Sequence, residues 1–165
     1  MSENETLTYL ISYLIGKHTQ NLIDAVPVSD TIEKDWFSYF KYIYTPLDAD
    51  ILIKLTAISG NPNIVVKYKS WDEFPTFDTA DLVSEEITSF ETITISKSDL
   101  PKECASSSYK NPCSLYIGVT SDEGYEASQF TIVALWEGKS KITELLNGVP
   151  QRDSIKANSW NFYYF

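Results

Sequence analysis

Residues 104–135 read CASSSYKNPCSLYIGVTSDEGYEASQFTIVAL. Two pieces of this stretch, CSLYIGVT (113–120) and QFTIVAL (129–135), are rich in β-branched and aromatic side chains. Such residues fit the pleated, half-buried surface of a sheet. The residues between them, 121–128, are polar and include Gly124, the composition of a loop. Leu115, Ile117 and Val119 fall on one face at period two, and so do Phe130, Ile132 and Ala134. The stretch predicts an antiparallel hairpin with one face in a core. Cys104 and Cys113 bracket a short polar loop leading into it, as a disulfide or as two free thiols.

Composition supports a folded sheet protein. The chain has 165 residues, of which 43% are apolar and 14% aromatic, with eleven Tyr and only six Gly. That is enough apolar material for one domain with additions, and too much for a disordered tail. The formal net charge of −10 argues against nucleic acid and anionic membrane surfaces as partners. Much of the acid is local: Asp72, Glu73, Asp78, Asp81, Glu85, Glu86 and Glu91 fall within residues 72–91, without a Lys or Arg. The plain reading is a solvated acidic loop. The sharper one is a calcium site drawn from Asp72, Glu73, Asp78 and Asp81, since calcium takes several oxygen ligands. The spacing matches no EF-hand loop.

No apolar run of about 18 residues is present, so no membrane insertion is expected. The opening, MSENETLTYLISYLIG, has acidic residues where a signal peptide carries basic ones, and no small-residue cleavage site follows. Further along, 6–14 (TLTYLISYL), 36–44 (WFSYFKYIY), 50–58 (DILIKLTAI), 63–68 (NIVVKY) and 88–96 (TSFETITIS) read as strands. Residues 16–21 read as a polar connector and 22–35 as a turn-rich segment around Pro27, while SGNPN (59–63) is a turn. With no strong helical period, the chain reads as an all-β, antiparallel β-sandwich or jelly roll. Trp36, Phe40, Ile53, Leu55, Val65, Ile93, Leu115, Ile117, Phe130 and Ile132 are its expected core.

An internal repeat sets the domain expectation. At an offset of 123 residues, LIDAVPVSDTIEKD (22–35) lies on LLNGVPQRDSIKAN (145–158), and TLTYLISY (6–13) lies on QFTIVALW (129–136). The aromatic strand recurs after one inserted residue, WFSYF from Trp36 on WNFYYF from Trp160. Residues 1–16 are then the last strand of a preceding repeat. Residues 17–138 form a complete sandwich, and 139–165 a connector and the first strand of the following repeat.

The cysteine–loop–cysteine order, the "YIGV" strand and the "FTI" strand resemble the last hairpin of the bacterial pre-peptidase C-terminal domain, in a divergent cysteine-bearing form. The resemblance extends along the chain. The family's opening Gly-x-Pro-like turn and aromatic strand are matched by Ala25-Val26-Pro27 with residues 36–44, and more closely by Gly148-Val149-Pro150. Its Gly-x-Pro-Asp-Leu-Tyr-Val segment is matched by Gly60-Asn61-Pro62-Asn63-Ile64-Val65-Val66, with Asn63 for the Asp and Val65 for the Tyr. The resemblance implies a small β-sandwich riding on secreted enzymes or surface proteins, in an oxidising setting. That setting, with the Asn111-Pro112 turn, favours a Cys104–Cys113 disulfide over free thiols. Some relatives bind calcium through acidic residues near the domain start; no residue here matches those ligands one by one.

Catalytic signals are sparse. The single histidine, His18, sits in the polar connector, and the motifs of serine hydrolases, zinc proteases, P-loop NTPases and dinucleotide enzymes are missing. No cofactor is implied. The sequence therefore predicts a non-catalytic module of a secreted or cell-surface multidomain protein, serving adhesion, ligand binding or spacing. Its expected partners are neighbouring repeats and extracellular protein or glycan. Trp71, Phe74 and Phe77 form a candidate ligand patch, against the alternative that they cap the sandwich core. Asn4 begins a glycosylation sequon. The rival readings are an accessory domain of a secreted protease or hydrolase, or a hydrolase working through the acidic loop.

Overall fold

The computed structural model describes residues 18–44, 49–68, 74–101, 113–137, 142–153, 155, 157–158 and 160–165. Among them there are strands and turns but no helix. In chain order the strands are β1 (Thr19–Leu22), β2 (Val28–Glu33), β3 (Phe37–Tyr44), β4 (Ile51–Ser59), β5 (Pro62–Lys67), β6 (Leu82–Ser84), β7 (Phe90–Ile95), β8 (Cys113–Ser121), β9 (Ala127–Trp136), β10 (Ile142–Glu144) and β11 (Phe162–Tyr164).

Two sheets form a β-sandwich. One has the order β1-β3-β8-β5-β6, the other β2-β9-β4-β7. All pairings within them are antiparallel except β1 with β3. Alternate residues of each strand point inward. From the first sheet come Phe40, Tyr42, Ile64, Val66, Leu115, Ile117 and Val119; from the second come Ile32, Ile51, Ile53, Leu55, Ile93, Ile95, Phe130, Ile132 and Ala134. Phe40 and Phe130 meet edge-on with ring centroids 6.2 Å apart. Each of these large side chains contributes about 1.5–3 kcal/mol by leaving water. Nine of the ten expected core residues are buried, eight of them between the sheets; Val65 is instead buried on the outer face of β5. Trp36 is the exception, at 67% exposure. It sits in the turn before β3, where Asp35 has φ 63° and the Trp36 amide closes on the Glu33 carbonyl at 3.2 Å. The indole is therefore held outside the alternation of the strand.

The expected hairpin is not a hairpin. β8 lies between β3 and β5 in one sheet, and β9 between β2 and β4 in the other. The chain crosses the sandwich between them. Both strands are central and have two ladder neighbours, and both of their faces are covered: the outer face of β8 by the segment at Pro75 and that of β9 by the C-terminal segment. The near-continuous apolar runs of IGV and TIVAL carry this information, whereas a solvated hairpin would alternate. Buried serines hold the crossing: Ser121 and Ser128 hydroxyls lie 2.7 Å apart, and Ser128 Oγ accepts the Asn61 amide at 3.0 Å. Gly60 is required here. Its φ is +74°, and a Cβ would fall 2.6 Å from the Ala127 carbonyl oxygen and 2.3 Å from Ser128 Oγ.

Four short strands escaped sequence reading. β1 falls in the polar connector, β2 in the turn-rich segment, β6 in the acidic loop and β10 in the connector that opens residues 139–165. Each is an edge strand or is short, so its side chains carry little periodic signal. Residues 6–14, read as a strand, lie outside the described residues.

β10 and β11 form a separate parallel ribbon. The C-terminal segment lies on the outer face of β4 and β9. There Thr131 Oγ1 donates to the Pro150 carbonyl at 2.6 Å, the Arg152 amide donates to Thr56 Oγ1 at 3.0 Å, and Lys54 pairs with Asp153 at 2.6 Å. Val133 and Leu135 point out of the sandwich, yet both are buried.

Candidate functional site

The outer face of the five-stranded sheet carries the richest surface chemistry among the described residues. β3 presents Phe37, Tyr39 and Lys41 outward, because Phe40 and Tyr42 point in. Beside them β8 presents Tyr116 and Gly118, and β5 presents Val65 and Lys67. Gly118 makes a hollow in this face. A Cβ there would lie 2.8 Å from Val65 Cγ2 and 3.0 Å from both the Phe37 ring and the Pro75 carbonyl oxygen.

The segment after β5 folds into that hollow. The Phe74 ring packs edge-on against Tyr39 at 5.0 Å between centroids, and Phe77 packs against Phe37 at 6.1 Å. Phe37 and Tyr39 stack on each other at 5.6 Å. Polar contacts fix the segment. Lys67 Nζ donates to the Thr79 carbonyl, and Asp81 accepts the Tyr68 amide at 2.9 Å and lies 3.8 Å from Lys67 Nζ. On the same face Lys41 Nζ stands 5.3 Å above the Tyr116 ring, a cation–π contact.

The structure brings Phe74 and Phe77 together with rings the sequence reading did not include. Phe37 and Tyr39 were legible as outward positions of a strand whose Phe40 faces in. The glycine opposite them, Gly118, was the cue that something lies close. Phe74 is half-buried as part of the cover, and Phe77 is 39% exposed. Trp71, Asp72, Glu73, Cys104 and Asn4 lie outside the described residues. Of the acidic candidates that are described, Asp78 is exposed and Asp81 is engaged by Lys67 and the Tyr68 backbone. No group of three or more metal-ligating side chains is present among the described residues. Cys113 is buried at the start of β8, opposite Tyr44. His18 is exposed.

One titratable group was missed altogether. Glu91 stands at an inward position of β7 and is only 2% exposed. Burial pushes its carboxyl up to about 7. The Ser84 hydroxyl and the backbone of Glu86 and Ile64 offset part of that rise, and the Glu86 charge adds to it. None of these makes a hydrogen bond of good geometry to either oxygen. A value near neutrality suits a general acid, but this carboxyl faces the interior of the sandwich. It stands on an edge strand, where an inward charge is a known device against edge-to-edge pairing. In the sequence it reads as one more acid of an acidic stretch. Only the alternation FETITI, with Ile93 and Ile95 inward, placed it on the buried face.

A cavity of about 330 Å³ lies where the C-terminal segment meets the four-stranded sheet. Lys54, Arg152 and Asp153 supply its charges, and Val133, Leu135 and Leu145 its apolar walls.

No protein-family model matches the chain, and no curated protein matches it. Among solved structures it is similar to the pre-peptidase C-terminal domain of a collagenase from Bacillus anthracis, with 8% identity and a TM-score of 0.48, over 74% of this chain and 99% of that one. It is also similar to PliG from Aeromonas hydrophila, a periplasmic lysozyme inhibitor of g-type lysozyme. That match has 10% identity and a TM-score of 0.44, over 72% of this chain and 96% of that one.

Proposed function

We propose that the chain is a non-catalytic β-sandwich module of a secreted or cell-surface protein, and that it binds extracellular protein or glycan through the aromatic outer face of its five-stranded sheet. The observation that carries this reading is the ring cluster of Phe37, Tyr39, Phe74 and Phe77, gathered around Gly118 and held by Lys67 and Asp81. Tyr39 is buried beneath the others, and Phe77, 39% exposed, is the ring a partner reaches; a rigidly held ring binds with little loss of side-chain freedom. Trp71 belongs to the same proposed patch by its place in the sequence.

The reading includes a Cys104–Cys113 disulfide, suited to an oxidising compartment. It leaves calcium at Asp72, Glu73, Asp78 and Asp81 as a separate question for a titration with the metal.

The test is a binding screen of the whole chain against glycan arrays and extracellular protein panels, repeated with Phe77→Ala. Loss of at least tenfold in affinity for a captured ligand, with unchanged melting, supports the patch. Unchanged binding by Phe77→Ala moves the site elsewhere. Steady turnover of a glycan or peptide substrate that disappears in Asp72→Asn or Glu73→Gln establishes the hydrolase alternative and ends this reading.

A further inference from the structure

The C-terminal segment repeats the backbone of the sandwich's opening at its first strand pair and at the turns between, though residues 151–153, which correspond to the start of β2, form no strand. β1 pairs with β3 in parallel from Thr19↔Tyr39, and β10 pairs with β11 in parallel from Ile142↔Phe162. Both pairs span 20 residues, and both ends are displaced by 123 (19 to 142, 39 to 162). The left-handed residues repeat at the same displacement. Ala25 (φ 61°) corresponds to Gly148 (φ 76°), and Asp35 (φ 63°) to Asn158 (φ 61°). So does the turn between them: Val26 N–H donates to the Ile23 carbonyl, and Val149 N–H to the Leu146 carbonyl, each at 3.1 Å. Parallel pairing needs a long crossover connection, and residues 23–36 and 145–161 supply it with the same turn at the same place, so the shared register reflects a shared local design. The register also corrects the sequence alignment. No residue is inserted before the aromatic strand, and Trp160 stands in the place of Phe37, not of Trp36.

The side chains follow the backbone. Leu22, Ile32, Phe40 and Tyr42 are core residues of the sandwich. Their counterparts are Leu145, Ile155, Tyr163 and Phe165, all apolar or aromatic. Leu145 and Tyr163 line the cavity against the first sandwich, where Tyr163 donates to Asp153 at 2.9 Å. Ile155, 57% exposed, and Phe165, 102% exposed, are core-type side chains without a core. One polar pair changed together: Tyr42 donates to Asp24 at 2.6 Å, and Phe165 and Asn147 occupy both places in the second copy. No carboxylate is left facing an apolar ring.

We infer that residues 142–165 are the opening strands of a second sandwich of the same kind. What completes it is a further copy of the unit, whose β8-type strand pairs with the open edge of β11 as β8 pairs with β3. The joint between consecutive units is the contact already formed: Thr131 with Pro150, Thr56 with the Arg152 amide, and Lys54 with Asp153. The repeat holds whether or not the aromatic face binds a ligand.

The decisive experiment lengthens the chain by its own residues 43–136, joined directly after Phe165. That stretch lacks β1, β2 and all but the last two residues of β3, and so has no sandwich of its own. The inference expects residues 142–165 to supply them, giving a second set of slowly exchanging amides in hydrogen exchange and a second cooperative transition. A control joins the same stretch after Trp136 through a flexible linker replacing residues 137–165; it gains no protection. Phe165→Asp separates the cases further. It leaves melting of the 165-residue chain unchanged and removes only the second transition of the lengthened one. If the added stretch exchanges as unfolded chain, or folds equally well in the linker control, the segment is an arm of the first sandwich and the inference fails.

Discussion

Replacing Glu91 by Gln isolates the cost of ionising a carboxyl inside the sandwich. Gln keeps the shape and removes the titration. In the unfolded chain the carboxyl has its ordinary value of 4.5, and in the fold burial raises it to about 7. The shift favours the protonated form in the native state, so the sign is fixed. Below pH 4.5 both states are protonated and the wild type suffers no penalty. Between 4.5 and 7 the unfolded state has lost its proton while the native state keeps it, and stability falls as pH rises. Above 7 the loss is complete. At about 1.4 kcal/mol per pH unit, the wild type loses about 3 kcal/mol over that window, on the order of a fifth to a half of a typical domain's stability. Urea denaturation of wild type and Glu91→Gln at half-unit steps from pH 4 to pH 8.5 reads it directly. The difference between the two proteins cancels the titration of the surface carboxylates. It should be small near pH 4, grow in favour of Gln through pH 6 and level off above pH 7.5. A difference that stays flat across the series refutes the placement of Glu91 on the buried face of β7. One that grows in the opposite direction means the carboxylate has a charged partner that lowers its pKa.

Other outcomes follow from burial and backbone geometry. Ile117→Asp places a carboxylate where exposure is 0%, on a strand flanked by β3 and β5; with no partner for the charge, cooperative unfolding should be lost, as followed by circular dichroism. A cooperative, soluble Ile117→Asp protein would show the face assignment to be wrong. Gly60→Ala should cost more than about 2 kcal/mol, since it adds a left-handed L-residue to a collision with the Ala127 and Ser128 backbone; a change under about 0.5 kcal/mol in the urea midpoint would show that the turn relaxes. Reducing a Cys104–Cys113 bond should lower stability by about 2–3 kcal/mol, the chain-entropy value for so short a loop. Peptide mapping of protein from an oxidising compartment should recover the two cysteines linked, and recovery of both as free thiols rejects the pairing.

What the sequence by itself determined was local. Period-two alternation in DILIKLTAI and TSFETITIS was enough to place β4 and β7 and to aim their inward side chains; NIVVKY placed β5, but Ile64 and Val66 point inward there, not the expected Val65. SGNPN placed the turn that only Gly60 satisfies. These are decided by each residue's immediate neighbours, because a strand facing one core must alternate. The self-similarity at 123 residues was legible too, since residues that build the same turn are the same residues. The tertiary structure decided which strands are neighbours. QFTIVAL and CSLYIGVT bury both faces, so their side chains do not say whether they pair with each other or face each other across a core. Only the packing sends β8 and β9 to opposite sheets. Nor does Val133 or Leu135 announce what covers it, because that is settled by packing against Ala25 and against the residues from Thr143 to Asp153 that return over the sheet. Glu91 divides between the two. The alternation FETITI puts it on the face of Ile93 and Ile95, so its inward side is legible in the sequence; that this face is sealed, leaving the carboxyl 2% exposed and its pKa raised, is decided by the packing.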